Sequence, residues 1–245
     1  MEKVAHGNGE PYLIKVSGES FAADAQGISE SALEFTGQEI LKAWEVQPNF
    51  AVVVGGGNFY RGRGAMPGLI DQLHADHVGM LATIMNGIIL QQWFTARLQP
   101  AVALSAFPVG HICETYSAVK ARSLIERGIL VVMAGGTGSP FFTTDTTACL
   151  RALEIGAKTV IKATNVNGIY DRDPFTDRSA TMFQDLDYQT ALNNHLTVMD
   201  ATAFALCRDN RLTIHVLNLG VPGNLCRAVQ GYSVGTLVSN GRSKE

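Results

Sequence analysis

The chain has 245 residues, 46% of them apolar and 17% charged, enough to fill a sizeable core and inconsistent with a disordered chain. A formal net charge of −3 gives nucleic acid and anionic membranes no general attraction, so an anion site must be local, built from backbone N–H groups and a few placed cations. The four cysteines, Cys113, Cys149, Cys207 and Cys226, form no C-x-x-C pair and read as small buried hydrophobes in a reducing compartment.

Met1 to Glu10 is polar and lacks an apolar signal core, and no apolar stretch is expected to span a bilayer, so a cytosolic location is the default. Short apolar runs then alternate with helix-period segments. Tyr12–Val16, Ala51–Val54, Ala101–Leu104, Ile129–Ala134, Val160–Ala163 and Ile214–Leu217 read as buried strands. Leu33, Ile40, Leu41 and Trp44 mark the inner face of a first helix. Leu81, Ile84, Met85 and Ile88 mark that of a second, opened by Asp76 and His77. Ser117 caps a third running to Arg127, Thr144 or Asp145 starts a fourth, Asp200 a fifth, and Pro222 suits the first turn of a sixth. Thr181–Phe183 and Gly235–Val238 are candidate edge additions. This alternation predicts an α/β fold with a mainly parallel sheet and helices on both faces.

Ligands of such sheets bind beyond the carboxyl ends of the strands. Lys15-Val16-Ser17-Gly18 ends the first strand, and a lysine there needs an anionic partner unless it simply points to water. Gly55-Gly56-Gly57-Asn58 ends the second, leaving a run of uncovered N–H groups with Arg61 nearby; an anion nest is preferred over a plain turn. Gly135 to Asp145 joins glycines, hydroxyls and two phenylalanines to a helix start, which suits base reading and phosphate binding; the plainer reading is a loop with Asp145 as cap. Lys162 to Pro174 suits an adenine shelf, although Asn167-Gly168 by itself signals a hairpin turn. The histidines show no metal spacing, and the chain lacks the P-loop, the dinucleotide glycine fingerprint and the nucleophile elbow.

Taken together, Lys15 to Glu19, Gly55 to Gly62, Asp76 to Asn86, Gly136 to Asp145, Lys162-Ala163-Thr164 and Val198-Met199-Asp200 resemble the bacterial UMP kinases of the amino acid kinase superfamily, in order and spacing, from about Tyr12 to Val238. The Asp76–Asn86 and Phe141–Asp145 strings carry the narrower likeness. The resemblance implies a three-layer αβα sandwich over residues 1–245, with an acceptor-binding, dimerising lobe at 11–156 and an ATP-binding lobe at 157–245. It implies UMP as acceptor, ATP with Mg²⁺ as donor, and a hexamer made as a trimer of dimers. By the same resemblance Lys15 neutralises the transferring phosphoryl group, with Lys162 assisting. Lys15, Val16, Ser17 and Gly18, with Gly57 and Arg61, lie around the ATP phosphates. Gly56, Asp76, Thr137, Gly138, Ser139, Pro140, Phe141, Phe142, Thr143 and Thr144 hold UMP, Asp76 through the ribose. Thr164, Tyr170 and Asp173 hold ATP, and Asp145 and Asp200 arrange the lysines or the metal.

The chain departs from the family pattern at Asn165, where lysine is frequent, at Asn167, where aspartate is, and at Ser139, where asparagine is. Gln91, Thr95, Val102 and Ala118 occupy places where enterobacterial members carry two arginines, a histidine and a tryptophan for GTP, which predicts a weak or absent GTP response unless Arg97, Lys120 or Arg122 compensate. Two other functions share these glycine turns: a superfamily kinase acting on a carboxylate, carbamate or isopentenyl phosphate, and a non-catalytic nucleotide-binding or storage protein. The first lacks the Phe-Phe-Thr-Thr-Asp string, and retention of Lys15, Asp145 and Asp200 argues against the second.

Overall fold

A computed structural model describes residues 10–22, 26–61, 68–174, 176–196 and 199–241. The polar N-terminus up to Gly9, and Gly62 and Val198 of the motif strings, lie outside the described residues.

Among the described residues nine strands form one sheet: β1 Tyr12–Val16, β2 Phe50–Val54, β3 Ala101–Ser105, β4 Glu114–Thr115, β5 Leu130–Ala134, β6 Thr159–Thr164, β7 Asp185–Asp187, β8 Thr213–Asn218 and β9 Thr236–Ser239. Their order is β4-β3-β5-β2-β1-β6-β8-β9-β7, parallel throughout except for the β8–β9 pair. All five residues of β2 and of β5 are buried, which is why these strands appear in the sequence as unbroken apolar runs. Successive side chains alternate between two cores. Leu13 joins the residues of α3 Ala118–Glu126, α4 Thr144–Ile155, α5 Tyr188–Asn193 and α6 Ala201–Asp209. Tyr12, Ile14 and Val16 join those of α1 Glu30–Val46, α2 Gln72–Thr95 and α7 Asn224–Val229. The chain is thus a three-layer αβα sandwich around a mainly parallel sheet.

Several boundaries differ from the sequence reading, each for a local reason. Helix α2 starts one turn before Asp76, because the Asp71 carboxylate accepts from the His74 N–H at 2.9 Å and caps it. Its inner face runs through Met80, Ile84, Gly87 and Leu90, with Ile88 partly buried beside it, whereas Leu81 and Met85 are 48% and 44% exposed. By length and composition alone α2 could cross a membrane, contrary to the expectation that no segment would; it instead packs on β3 and β5 as a core helix. Pro222 stands outside α7, whose N-cap is Gly223. Thr181–Phe183 is not a strand of the sheet: Met182 makes an isolated bridge to Tyr170, and the outer edge strand is β7. Asn167-Gly168 makes no hairpin, since β6 has parallel neighbours on both sides. Gly168 serves close packing, as a Cβ there would lie 2.5 Å from Thr236 Oγ1. Cys113, Cys149 and Cys207 are buried free thiols, and Cys226 is half-buried and also free.

Candidate active site

Lys15 and Lys162 are register partners on the adjacent strands β1 and β6. Both reach Asp145 in the first turn of α4: Lys162 Nζ donates to Oδ2 at 2.7 Å, and Lys15 Nζ lies 3.3 Å from Oδ1. The lysine at the end of a buried strand therefore has the anionic partner it requires. Burial by itself raises the Asp145 pKa, but the two ammonium groups outweigh it and hold the carboxyl below its usual value. Asp145 Oδ1 is buried and accepts no aligned hydrogen bond among the described residues.

Thr143 is the N-cap of α4, its hydroxyl accepting from the N–H groups of Asp145 and Thr146 at 3.1 and 3.2 Å. That hydroxyl donates to Asp200, which also accepts from Thr146 Oγ1 at 3.1 Å and from the N–H groups of Thr202 and Ala203 at 3.0 Å. Asp200 therefore joins the starts of α4 and α6.

The glycine turns pack backbone against backbone. A Cβ on Gly18 would lie 2.4 Å from the Gly57 nitrogen, and the Gly55 N–H donates to Val16 O at 2.8 Å. Asn58 and Asn86 exchange amide hydrogen bonds of 3.0 and 2.7 Å, and Asn86 Nδ2 donates to Gly55 O, which ties the triple glycine to α2. Arg61 pairs with Glu19 at 2.7 Å at the mouth of this region.

Among the described residues, three clefts open along the carboxyl ends of the strands. One of about 830 Å³ is lined by Lys15, Ser17, Arg61, Lys162 and Thr164, with the departing residue Asn165. One of about 460 Å³ continues past Lys162 and Thr164 to Tyr170 and Asp173. The third, about 520 Å³, is lined by Gly56, Gly57, Asp76, Ser139 and the run Phe141 to Thr144. Asp76 Oδ2 accepts from the Phe141 N–H at 2.7 Å, and Phe141 holds a left-handed φ of 69° with its ring 68% exposed.

Of the residues expected around ATP, Gly57 lines the third cleft instead of the first two. Val16 is fully buried in the core, and Gly18 is buried against Gly57. Of those expected around UMP, Thr137, Gly138 and Pro140 do not line the third cleft, and the Thr137 hydroxyl folds back onto Ser139 O at 3.0 Å. Ser20, Asn218 and Gly220 line the first cleft and were assigned no role from sequence, although the position of Asn218 and Gly220 at the carboxyl end of β8 was a usable signal. Tyr60 and Thr83 line the third, and Asn194 and His195 the second; the latter pair follows α5, a short helix that the sequence reading did not contain.

The amino acid kinase family model matches residues 11–218. The uridylate kinase of Pectobacterium atrosepticum is 43% identical over 228 residues, 93% of this chain and 95% of its own length. That of Photorhabdus laumondii subsp. laumondii is 43% identical over 227 residues, covering 92% and 94%. Among solved structures, the UMP kinase from Bacillus anthracis superposes with a TM-score of 0.91 at 32% identity, covering 95% of this chain and 97% of its own. The UMP kinase from Ureaplasma parvum does so with 0.88 at 30%, covering 98% and 100%.

Proposed function

The chain belongs to the amino acid kinase family, and we infer that within it the chain is a UMP kinase, moving the γ-phosphoryl group of ATP to UMP to give UDP and ADP. One observation carries this reading: the Lys15–Asp145–Lys162 cluster stands where two clefts adjoin. The lysines line the 830 Å³ cleft, and Thr143 and Thr144, just before Asp145, line the 520 Å³ cleft. A donor in the first and an acceptor in the second bring their phosphates together beside two ammonium groups.

Phosphoryl transfer asks for in-line positioning and charge stabilisation more than covalent help. An oxygen of the UMP phosphate attacks the γ-phosphorus, the bond to the bridging oxygen breaks, and ADP leaves with that electron pair. The attacking oxygen is already anionic, so no general base is needed. Lys15 and Lys162 meet the charge that spreads over the transferring group, and Asp145 fixes where their ammonium groups sit. Lys162 and Thr164 line both the 830 and the 460 Å³ clefts, so the base and ribose of ATP extend towards Tyr170 and Asp173 while its phosphates point to Lys15. Asp76, 2.7 Å from the Phe141 N–H, takes the acceptor ribose.

Mg²⁺ supplied with ATP would neutralise phosphate charge when bound. Its protein partner would be Asp145, whose Oδ1 faces Lys15 Nζ at 3.3 Å without an aligned hydrogen bond, in keeping with the few carboxylates Mg²⁺ uses beside phosphates. We further propose a cytoplasmic enzyme of pyrimidine nucleotide biosynthesis, a division into acceptor and donor lobes near Ala157, and a homo-oligomer, hexameric by family resemblance. Leu73, Val78, Leu81 and Met85 support assembly, since all four are exposed along α2.

The test is a panel of nucleoside monophosphates with MgATP, read by ADP release. UMP turns over and CMP barely does, because polar groups placed for one exocyclic pattern penalise the other. Equal rates with UMP and CMP would overturn the acceptor assignment, and ADP release with none of them the kinase itself.

A further inference from the structure

Arg151 lines none of the three clefts described above, yet it is 6% exposed, and a buried guanidinium needs a strong reason to be there. It lies on α4 behind the turn Gly135 to Gly138. Nη1 pairs with Glu154 at 2.7 Å, and Nη2 donates to Gly136 O at 3.3 Å and to Thr137 O at 3.5 Å. The guanidinium carbon sits 4.0 Å from the centre of the Tyr116 ring, and the Tyr116 hydroxyl donates to the same Glu154 carboxylate at 2.6 Å. Gly135, Gly136 and Gly138 all have left-handed φ, at 78°, 62° and 86°, which allows two successive carbonyls to turn to one side.

A trans peptide opposes its C=O and its N–H. With the carbonyls of Gly136 and Thr137 both drawn to Arg151, the N–H groups of Thr137 and Gly138 both point away from it. Gly138 spends its N–H on Gly135 O at 3.1 Å. Gly136 and Ser139, which flank Thr137 and Gly138, line the 520 Å³ cleft, and Arg151 does not.

We propose that Arg151 is a positioning residue for the acceptor: by holding the Gly136 and Thr137 carbonyls from behind, it fixes the turn whose Gly136 and Ser139 line the 520 Å³ cleft, so that the polar groups of that wall meet the acceptor nucleotide in one set place. Lysine at this position keeps the charge but loses the planar fork that holds two carbonyls and a carboxylate together. This rests on the UMP kinase reading.

The experiment compares Arg151→Lys and Arg151→Met with the wild type in two ways. The first is thermal stabilisation by UMP without ATP, and the second is KM for UMP and for ATP. Expected is a rise of about tenfold in the KM for UMP with Arg151→Lys, as for one lost hydrogen bond in a closed site. The KM for ATP and the Tm of the unliganded protein stay near wild type. Arg151→Met shifts the UMP value further. Should neither variant fold, Glu154→Gln, which removes the carboxylate anchoring the guanidinium, shows the same split in smaller measure. A UMP response unchanged in folded variants overturns the proposal, and so does a joint rise of both KM values with a fall in Tm, the mark of a strut. A wild type that UMP does not stabilise refutes the UMP reading instead, and the same comparison with the monophosphate that does stabilise it still decides the role of Arg151.

Discussion

At Lys15 the decisive property is charge at the moment of transfer. Lys15→Met keeps a flexible apolar stem and removes only the ammonium group, so kcat should fall by on the order of 10²–10³ while UMP affinity changes little. Steady-state rates beside calorimetric binding check this; a fully active Lys15→Met protein would remove the mechanism. Arg61 is 72% exposed and already paired with Glu19, so Arg61→Ala should weaken substrate binding at least as much as it slows turnover. Asp145 gives a pH prediction. Its carboxyl is held low in the folded protein, so its contribution is fully present above the unfolded-state value of about 3.9 and is lost as pH falls through its lower folded value. The gap in urea midpoint between wild type and Asp145→Asn should hold steady from neutral pH to about pH 5 and close on further acidification. A gap that widens in acid would show that the lysines do not set the charge state of this carboxyl. Lys15, Lys162 and Asp145 were legible in the sequence because each ends a strand or starts a helix at the carboxyl edge. Asp200 was only half legible. Its place as an N-cap is local, whereas its bonds to Thr143 and Thr146 depend on α4 and α6 meeting, which no local pattern encodes.

Helix α4 carries Thr143 as its cap, and Thr143→Ala should lower unfolding free energy by about 1–2 kcal/mol, since it strips two N–H groups of their acceptor and Asp200 of a donor. Denaturant midpoints measure it; an unchanged midpoint would mean that α4 is held by packing alone. The elements that would form an effector site are equally specific. Gln91 on α2 accepts from the Ala103 N–H at 2.6 Å, so its amide is tied to β3. Arg97 pairs with Glu34 at 2.5 Å and lies over the Trp93 ring, Lys120 pairs with Glu114, and Arg122 Nε donates to Glu154 O at 2.6 Å. The cations available to replace the missing arginines are thus already engaged, which favours a weak or absent GTP response. Initial rate against GTP at subsaturating ATP and UMP tests this; a strong saturable rise, unaffected by mutating Arg97, Lys120 and Arg122, would contradict it. The six apolar runs were readable as strands because a strand buried in the sheet is continuously apolar, and runs of four to six residues between glycine and polar turns are too short for a buried helix. Helix α5 escaped because six residues cannot show a helical period, and the two-residue β4 because Glu114 and Thr115 are both exposed. The inner face of α2 was misjudged because apolar residues surround it, and only packing against the sheet selects Met80 and Leu90 over Leu81 and Met85.

At the scale of the molecule, the outward apolar residues of α2 predict how copies meet. Leu81→Glu with Met85→Glu should shift the mass in sedimentation towards the monomer and leave the circular dichroism of the fold intact, because neither side chain is in a core. Unchanged mass would move the contact to another face. The register of β1 against β6 has a further consequence. Lys15 and Lys162 are neighbours across a parallel ladder, so the interval between their backbones is the interstrand distance of about 4.8 Å. That interval is a ruler no loop can alter. Whatever the glycine turns, the Phe141 segment or the 165–174 segment do as nucleotides come and go, the anchors of the two cations keep step, and movement must come from the walls. Deuterium uptake should therefore divide the protein sharply. Amides in the middle of β1 and β6 should exchange only through global unfolding, with or without nucleotide, while those of residues 135–142 and 165–174 exchange quickly alone and slow when ATP and UMP are bound. A β1–β6 ladder whose exchange speeds up or slows with each nucleotide would mean that the ruler itself bends during the reaction.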